Sequence, residues 1–157
     1  MRRHIILVGS IVVVVLLFAG LRFCQPERQV LRHSAKLLAA VESKDWKELS
    51  ALMADDYSDR WVHDKPTIIE WTRAVSSQFL VMELNVQDPV VEEANGLGRV
   101  RARVKLEGNG GPLAMFAVQK VGTLQQPFVF EWRQASWKPW HWVLVRVDQP
   151  ELEFSIF

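Results

Sequence analysis

Hydrophobic and polar positions change period twice along this chain. From Ile5 to Leu21 runs an uncharged stretch rich in Val, Ile and Leu. Helical spacing follows. Pro26 suits a first helical turn, and Leu31, Ala35, Leu38 and Val41 fall on one face, with Arg28, Arg32 and Lys36 on another. After a hinge at Ser43-Lys44-Asp45, Asp45 is a good N-cap, and Trp46, Leu49, Leu52 and Met53 form the stripe of a second helix. Asp55-Asp56-Tyr57-Ser58-Asp59 ends it. Pro66-Thr67 with Glu70 predicts a third helix capped by Thr67, burying Ile68, Trp71, Val75 and Phe79.

From there the period is two. Leu80 to Val86 alternates, and Asn95-Gly96 marks a tight turn between strands around Val90-Val91 and Arg99–Leu106. In the latter, Val100, Ala102, Val104 and Leu106 face one way; Arg99, Arg101, Arg103 and Lys105 face the other. Leu113 to Val121 and Pro127 to Gln134 read as further strands. Trp140 to Val147 is apolar on both faces apart from His141 and Arg146, which predicts a central strand covered on both sides. Glu151–Phe157 alternates again and predicts an edge strand or a docked tail.

Helices followed by antiparallel strands imply an α+β fold: a transmembrane helix, then a cone of about three helices on a strongly bent sheet. The implied divisions are 1–24 as membrane anchor or signal-anchor, 25–150 as the domain and 151–157 as a tail. The stretch 5–21 would span roughly 26 Å as a helix, enough for a thin hydrocarbon core. Arg2 and Arg3 precede it like a secretion signal. The Leu17-Phe18-Ala19 window suits signal peptidase poorly, and Phe23 before Cys24 does not suit a lipoprotein site, so an uncleaved anchor is expected. Arg22, Arg28, Arg32 and Lys36 after the span nearly balance the arginines before it. The short leader favours an extracytoplasmic domain, and hence a single-pass inner (plasma) membrane protein.

Composition narrows the partners. The chain has 157 residues and a net charge of +1. Arg2, Arg3 and Arg22 lie in the first 24 residues, leaving 16 basic against 18 acidic residues, a net of −2. That balance disfavours nucleic acid. The single cysteine, Cys24, excludes an intramolecular disulfide.

AAVESKDWKELSALMADDY resembles the opening helices of the nuclear transport factor 2-like (SnoaL-like) superfamily, and FEWRQASWKPWHWVLVRV resembles its last hairpin. The resemblance covers about residues 27 to 148. It implies helices and a bent sheet enclosing a pocket, with dimers often formed through the outer sheet face. Fold does not imply function. The isomerase branch uses a carboxylate base in the loop after the second helix, matched here by Asp55, Asp56, Asp59, His63 and Asp64. That branch also carries a tyrosine eight residues before the hinge aspartate. Here the position is Leu37, which donates no proton.

Candidate chemistry is therefore sparse. An isomerase, cyclase or dehydratase would draw on Asp59, Asp64 and His141, with Glu131 orienting the histidine. His63 and Asp64 lack the partners a metal needs, and no cofactor motif is present, so no metal or cofactor is expected. Trp61, Trp132, Trp140 and Trp142, with His141, are candidates to line a pocket. Arg99, Arg101, Arg103 and Lys105 form a cationic row that either pairs with Glu92, Glu93 and Glu131 or meets an acidic partner or lipid head groups. The favoured function is a membrane-tethered, non-catalytic ligand- or partner-binding module, bound to the bilayer through residues 5–21.

Overall fold

Four helices pack on a four-stranded antiparallel sheet in the computed structural model, which describes residues 25–152. The uncharged stretch 5–21, Cys24 and tail residues 153–157 lie outside the described residues. Among those described, no helix is long and apolar enough to cross a membrane. Helices α1 (Pro26–Glu42), α2 (Trp46–Leu52) and α3 (Lys65–Ser77) come first. Strands β1 (Phe79–Ala94) and β2 (Leu97–Gly110), helix α4 (Pro112–Gly122), and strands β3 (Phe128–Gln134) and β4 (Trp142–Asp148) complete the chain.

The hinge between α1 and α2 is a Schellman turn. Asp45 N–H bonds the Ala40 carbonyl at 2.8 Å and Lys44 N–H the Val41 carbonyl at 3.1 Å, with Lys44 left-handed at φ 59°. Asp45 then caps α2 by accepting from Glu48 N–H at 3.0 Å. Helix α3 departs from expectation: its cap is Asp64, which accepts from Thr67 N–H at 3.0 Å, so the helix begins at Lys65. Asp64 wins because an N-cap oxygen satisfies the amide three residues on, and Pro66 then sits in the first turn where its missing N–H costs nothing.

The strands run in chain order, β1-β2-β3-β4. The Leu80 and Val90 segments are one strand, interrupted by a bulge between Gln87 and Val90 where Asp88 has φ 50°. Asn95 and Gly96, at φ 55° and 75°, make the tight turn into β2. Val100 and Ala102 face the core, where they join Phe130, Trp132, Trp142 and Leu144. Two expectations fail here. Leu113–Val121 is the helix α4, not a strand: Leu, Ala, Met, Gln and Lys favour helix, and Pro112 follows Gly111 at its start. With α4 the helices among the described residues number four, where about three were expected. Strand β4 is an edge, not a central strand. Residues 53–58 run along its outer edge, where Met53 bridges Leu144 and Ala54 and Ser58 donate to the Leu144 and Val145 carbonyls.

Helix α1 buries Val30, Ser34, Leu37 and Ala40, one residue out of step with the expected stripe; Ala35 is exposed. The cause is a close approach to β2. A Cβ built on Gly98 would lie 2.4 Å from Val30 Cγ2. Beside that contact Trp132 is fully buried, and the His33 ring meets it edge-on at 5.8 Å.

Gly98→Ala is expected to cost about 1–3 kcal/mol through overpacking. The pair Val30→Ala/Gly98→Ala should cost less than the two single changes added, as urea denaturation would show. Burial, aided by the Lys36 and His141 charges, holds the His33 imidazole below its ordinary 6.5 against opposing effects of the Gln29 carbonyl and Glu48. The unfolded chain therefore takes up that proton first as pH falls through 6.5. Stability should decline from there to the lowered folded value and then level off. Denaturation of His33→Gln across that window should lack this component.

Candidate functional site

Beneath helices α1 to α3 lies a cavity of about 190 Å³. Leu37, Leu38 and Val41 of α1, Leu49 and Met53 after the hinge, Ile68 and Ile69 of α3, and Phe128, Phe130, Leu144 and Val147 of the sheet form its wall. The polar side chains on that wall are Tyr57, Asp59, Trp61 and Thr72. Each is already committed. Thr72 Oγ1 donates to the Ile68 carbonyl at 2.7 Å, and Trp61 Nε1 to the Leu152 carbonyl at 2.9 Å. Burial, then the Asp59 charge, pushes the Tyr57 hydroxyl well above its ordinary 10, against the opposing hydrogen bond with the Val147 backbone. Tyr57 is accordingly neutral at physiological pH.

Asp59 organises the loop between α2 and α3. Its Oδ1 accepts from Trp61 N–H at 2.9 Å and His63 N–H at 2.8 Å, while Oδ2 lies 2.9 Å from His63 Nδ1. The carboxylate has no solvent exposure, and His63 very little. The chain folds back on itself here: Ser58 bridges Asp64, and Val62 takes φ 66° at the tip. The His63 ring stands 5.5 Å from Trp71 and 6.4 Å from Trp61. Asp59 thus joins the apolar wall to His63, yet most of this carboxylate's acceptor capacity serves its own loop. Asp59 and His63 stand in the sequence within one set of loop residues, and their spacing of four is the signal that singles out the pair.

The other candidates are dispersed. Asp64 is the α3 cap, exposed, its carboxyl held below the usual range by the Thr67 side chain and amide. Glu131 sits on the opposite sheet face, bonded to Arg99 at 2.8 Å. His141 is exposed in the β3–β4 turn, where its Nδ1 lies 2.9 Å from Ser136 Oγ, so Glu131 does not orient it. Of the expected pocket aromatics, Trp61 lines the cavity. Trp132 and Trp142 are core, and Trp140 is half-exposed in the turn, since the hairpin bends before Trp142 and β4 begins there.

Asp55, Asp56 and His141 share instead an open groove beside Lys65 and Arg133. Arg133 grips Asp56 through two bonds of 2.7 and 3.0 Å and holds its carboxyl below the usual range, while Lys65 pairs with Asp55 at 2.8 Å. Most of the cationic row is paired as well: Arg99 with Glu131, Arg101 with Glu92 at 3.2 Å, and Lys105 with Glu107 at 2.6 Å. Among the described residues, no three His, Cys, Asp or Glu side chains come together as a metal site would require.

The fold recurs in known structures. Bd1075 of Bdellovibrio bacteriovorus superposes with a TM-score of 0.59 over 78% of this chain, at 8% identity. The chain spans 40% of the length of that protein. An NTF2-like protein from Cytophaga hutchinsonii gives a TM-score of 0.53 at 14% identity, covering 75% of this chain and 91% of its own. A suggested dehydratase of the NTF2-like family from Streptomyces avermitilis gives 0.56 at 18% identity, covering 77% and 91%. The fold is nuclear transport factor 2-like. No protein-family profile matches the sequence, and no curated protein matches it significantly. At these identities the likeness is one of fold.

Asp59→Ala strips the Trp61 and His63 amides of their acceptor. It should cost more than Asp59→Asn, which keeps one acceptor oxygen, by about 1–3 kcal/mol in urea denaturation.

Proposed function

We propose that this chain is a membrane-tethered, non-catalytic module that takes a small apolar ligand on the outer face of a bacterial inner membrane. The supporting observation is the cavity: about 190 Å³, walled by carbon, its polar side chains already bonded elsewhere. A dry cavity of about 150 Å³ accepts benzene in T4 lysozyme, so this space suits a single ring or a short acyl chain. Leu37 adds to the case. It occupies the helix-one position where the isomerase branch keeps a tyrosine, and it stands on the cavity wall as a hydrocarbon. The tether is the uncharged stretch 5–21, and the outer sheet face is where a protein partner or a second copy would dock.

A second reading, an isomerase, cyclase or dehydratase, is favoured by one observation: Asp59 reaches the cavity wall with His63 at 2.9 Å. The two readings separate experimentally.

Single-ring aromatics and short alkanols are expected to raise the melting temperature, reaching about 2.7 kcal/mol of stabilisation at a hundredfold excess over Kd. Ile69→Phe or Leu38→Phe, either of which narrows the cavity, should remove that response. No shift with any such compound, together with a turnover that Asp59→Asn abolishes in a folded protein, would sink the non-catalytic proposal.

A further inference from the structure

The start of helix α1 marks one end of the domain. Val30 sits on Gly98, next to the Asn95–Gly96 turn, and His33 lies against Trp132. The opposite end of α1 is placed by Lys44 Nζ, which donates to the Phe79 carbonyl at 3.2 Å, where β1 begins. The β3–β4 turn belongs to the first end, because Gln134 N–H bonds the Gly96 carbonyl at 2.9 Å. Two hairpin turns and the N-terminus of α1 therefore share a surface.

Among the described residues, nothing covers the large rings on that surface. Trp137 is 85% exposed and Trp140 51%, and Leu97 at 59% lies beside the other turn. The turn is held by its own hydrogen bonds. His141 N–H and Gln134 Nε2 both donate to the Lys138 carbonyl at 3.1 Å, and Trp142 Nε1 donates to the Pro139 carbonyl at 2.8 Å. Trp137 and Trp140 are thus presented on a braced loop, with exposed Lys138 between them and exposed Arg28 on the first turn of α1. Glu27 and Glu93 share this end, the second accepting Gly96 N–H at 3.0 Å, as do Asp55 and Asp56, which share a groove with His141 and are paired with Lys65 and Arg133.

The chain itself states what lies opposite. Arg22-Phe23-Cys24-Gln25 is all that separates the uncharged stretch from Pro26. The five steps from Leu21 to Pro26 reach at most about 18 Å, so the start of α1 cannot stand farther than that from the surface the stretch enters. Amphipathic tryptophan rings with neighbouring cations match the polar–apolar boundary of a bilayer.

We infer that the β3–β4 turn is a second membrane contact, with Trp137 and Trp140 seated in the head-group region of the bilayer that residues 5–21 enter. Lys138 and Arg28 then face lipid phosphate. This inference rests on the tether proposed above, and it adds a defined orientation: the hairpin-turn end points at the membrane. Because the tether confines the domain, the turn needs little affinity of its own to stay bound.

The test uses the full chain reconstituted in phosphatidylcholine–phosphatidylglycerol vesicles with brominated acyl chains, which quench nearby tryptophan. Trp137→Phe/Trp140→Phe should lose at least about half of the wild-type quenching, since these two rings lie at the interface. Both rings are exposed, so its melting temperature should match wild type; the single variants, each losing part of the signal, serve should the double variant fold poorly. Equal fractional quenching in wild type and variants overturns the contact. Alkaline carbonate extraction, run in parallel, tests the tether separately: release of the chain overturns the tether, while its retention with unquenched Trp137 and Trp140 overturns the contact alone.

Discussion

Helix α1 can lie directly on strand β2 because position 98 has no side chain. Val30 occupies the space a Cβ would need, and the neighbouring Trp132 is sealed by the same approach. Much else follows from that seat. It sets the rotation of α1, which turns Leu37, Leu38 and Val41 toward the cavity. The Schellman turn at Lys44 then reverses the chain so that Leu49 and Met53 meet the same space. A helix held farther out would leave these side chains without a common target, since close packing rather than propensity fixes a helix on a sheet.

The cavity shows how one carboxylate can be structural and suggestive together. Asp59 satisfies two amides and an imidazole, and so holds a loop containing a left-handed valine in place. That conformation is costly for a β-branched residue and persists where its surroundings impose it. Elsewhere acids and bases mostly neutralise one another, as with Asp56 and Arg133 or Arg101 and Glu92. The apolar cavity is the exception, and it supports the proposed function.

Local chemistry was legible from sequence; global placement was less so. The hinge, its Asp45 cap and the Asn95–Gly96 turn depend on residues within four positions of one another, and these expectations hold. Thr67 and Asp64 are both capping residues three positions apart, and the helix used the earlier one. Residues 113–121 form a short apolar run, a pattern that strand and helix share, while their propensities point to helix. For β4, apolarity on both faces suggested a centre, but the strand lies at the end of the sheet with residues 53–58 along its outer edge. Tryptophan shows the limit most clearly: Trp132 is fully buried and Trp137 almost wholly exposed, five residues apart in one hairpin. Likewise Asp59 and His63 could be listed as loop residues, but only the folded turn brings their side chains into contact.

The bulge in β1 has a consequence for solubility. Among the described residues no strand pairs with the outer side of this sixteen-residue strand, where a foreign segment could add itself to the sheet. Pro89 withholds an amide donor, and Asp88 at φ 50° turns the backbone aside. The free edge is thereby divided into runs of nine and five residues, Phe79–Gln87 and Val90–Ala94.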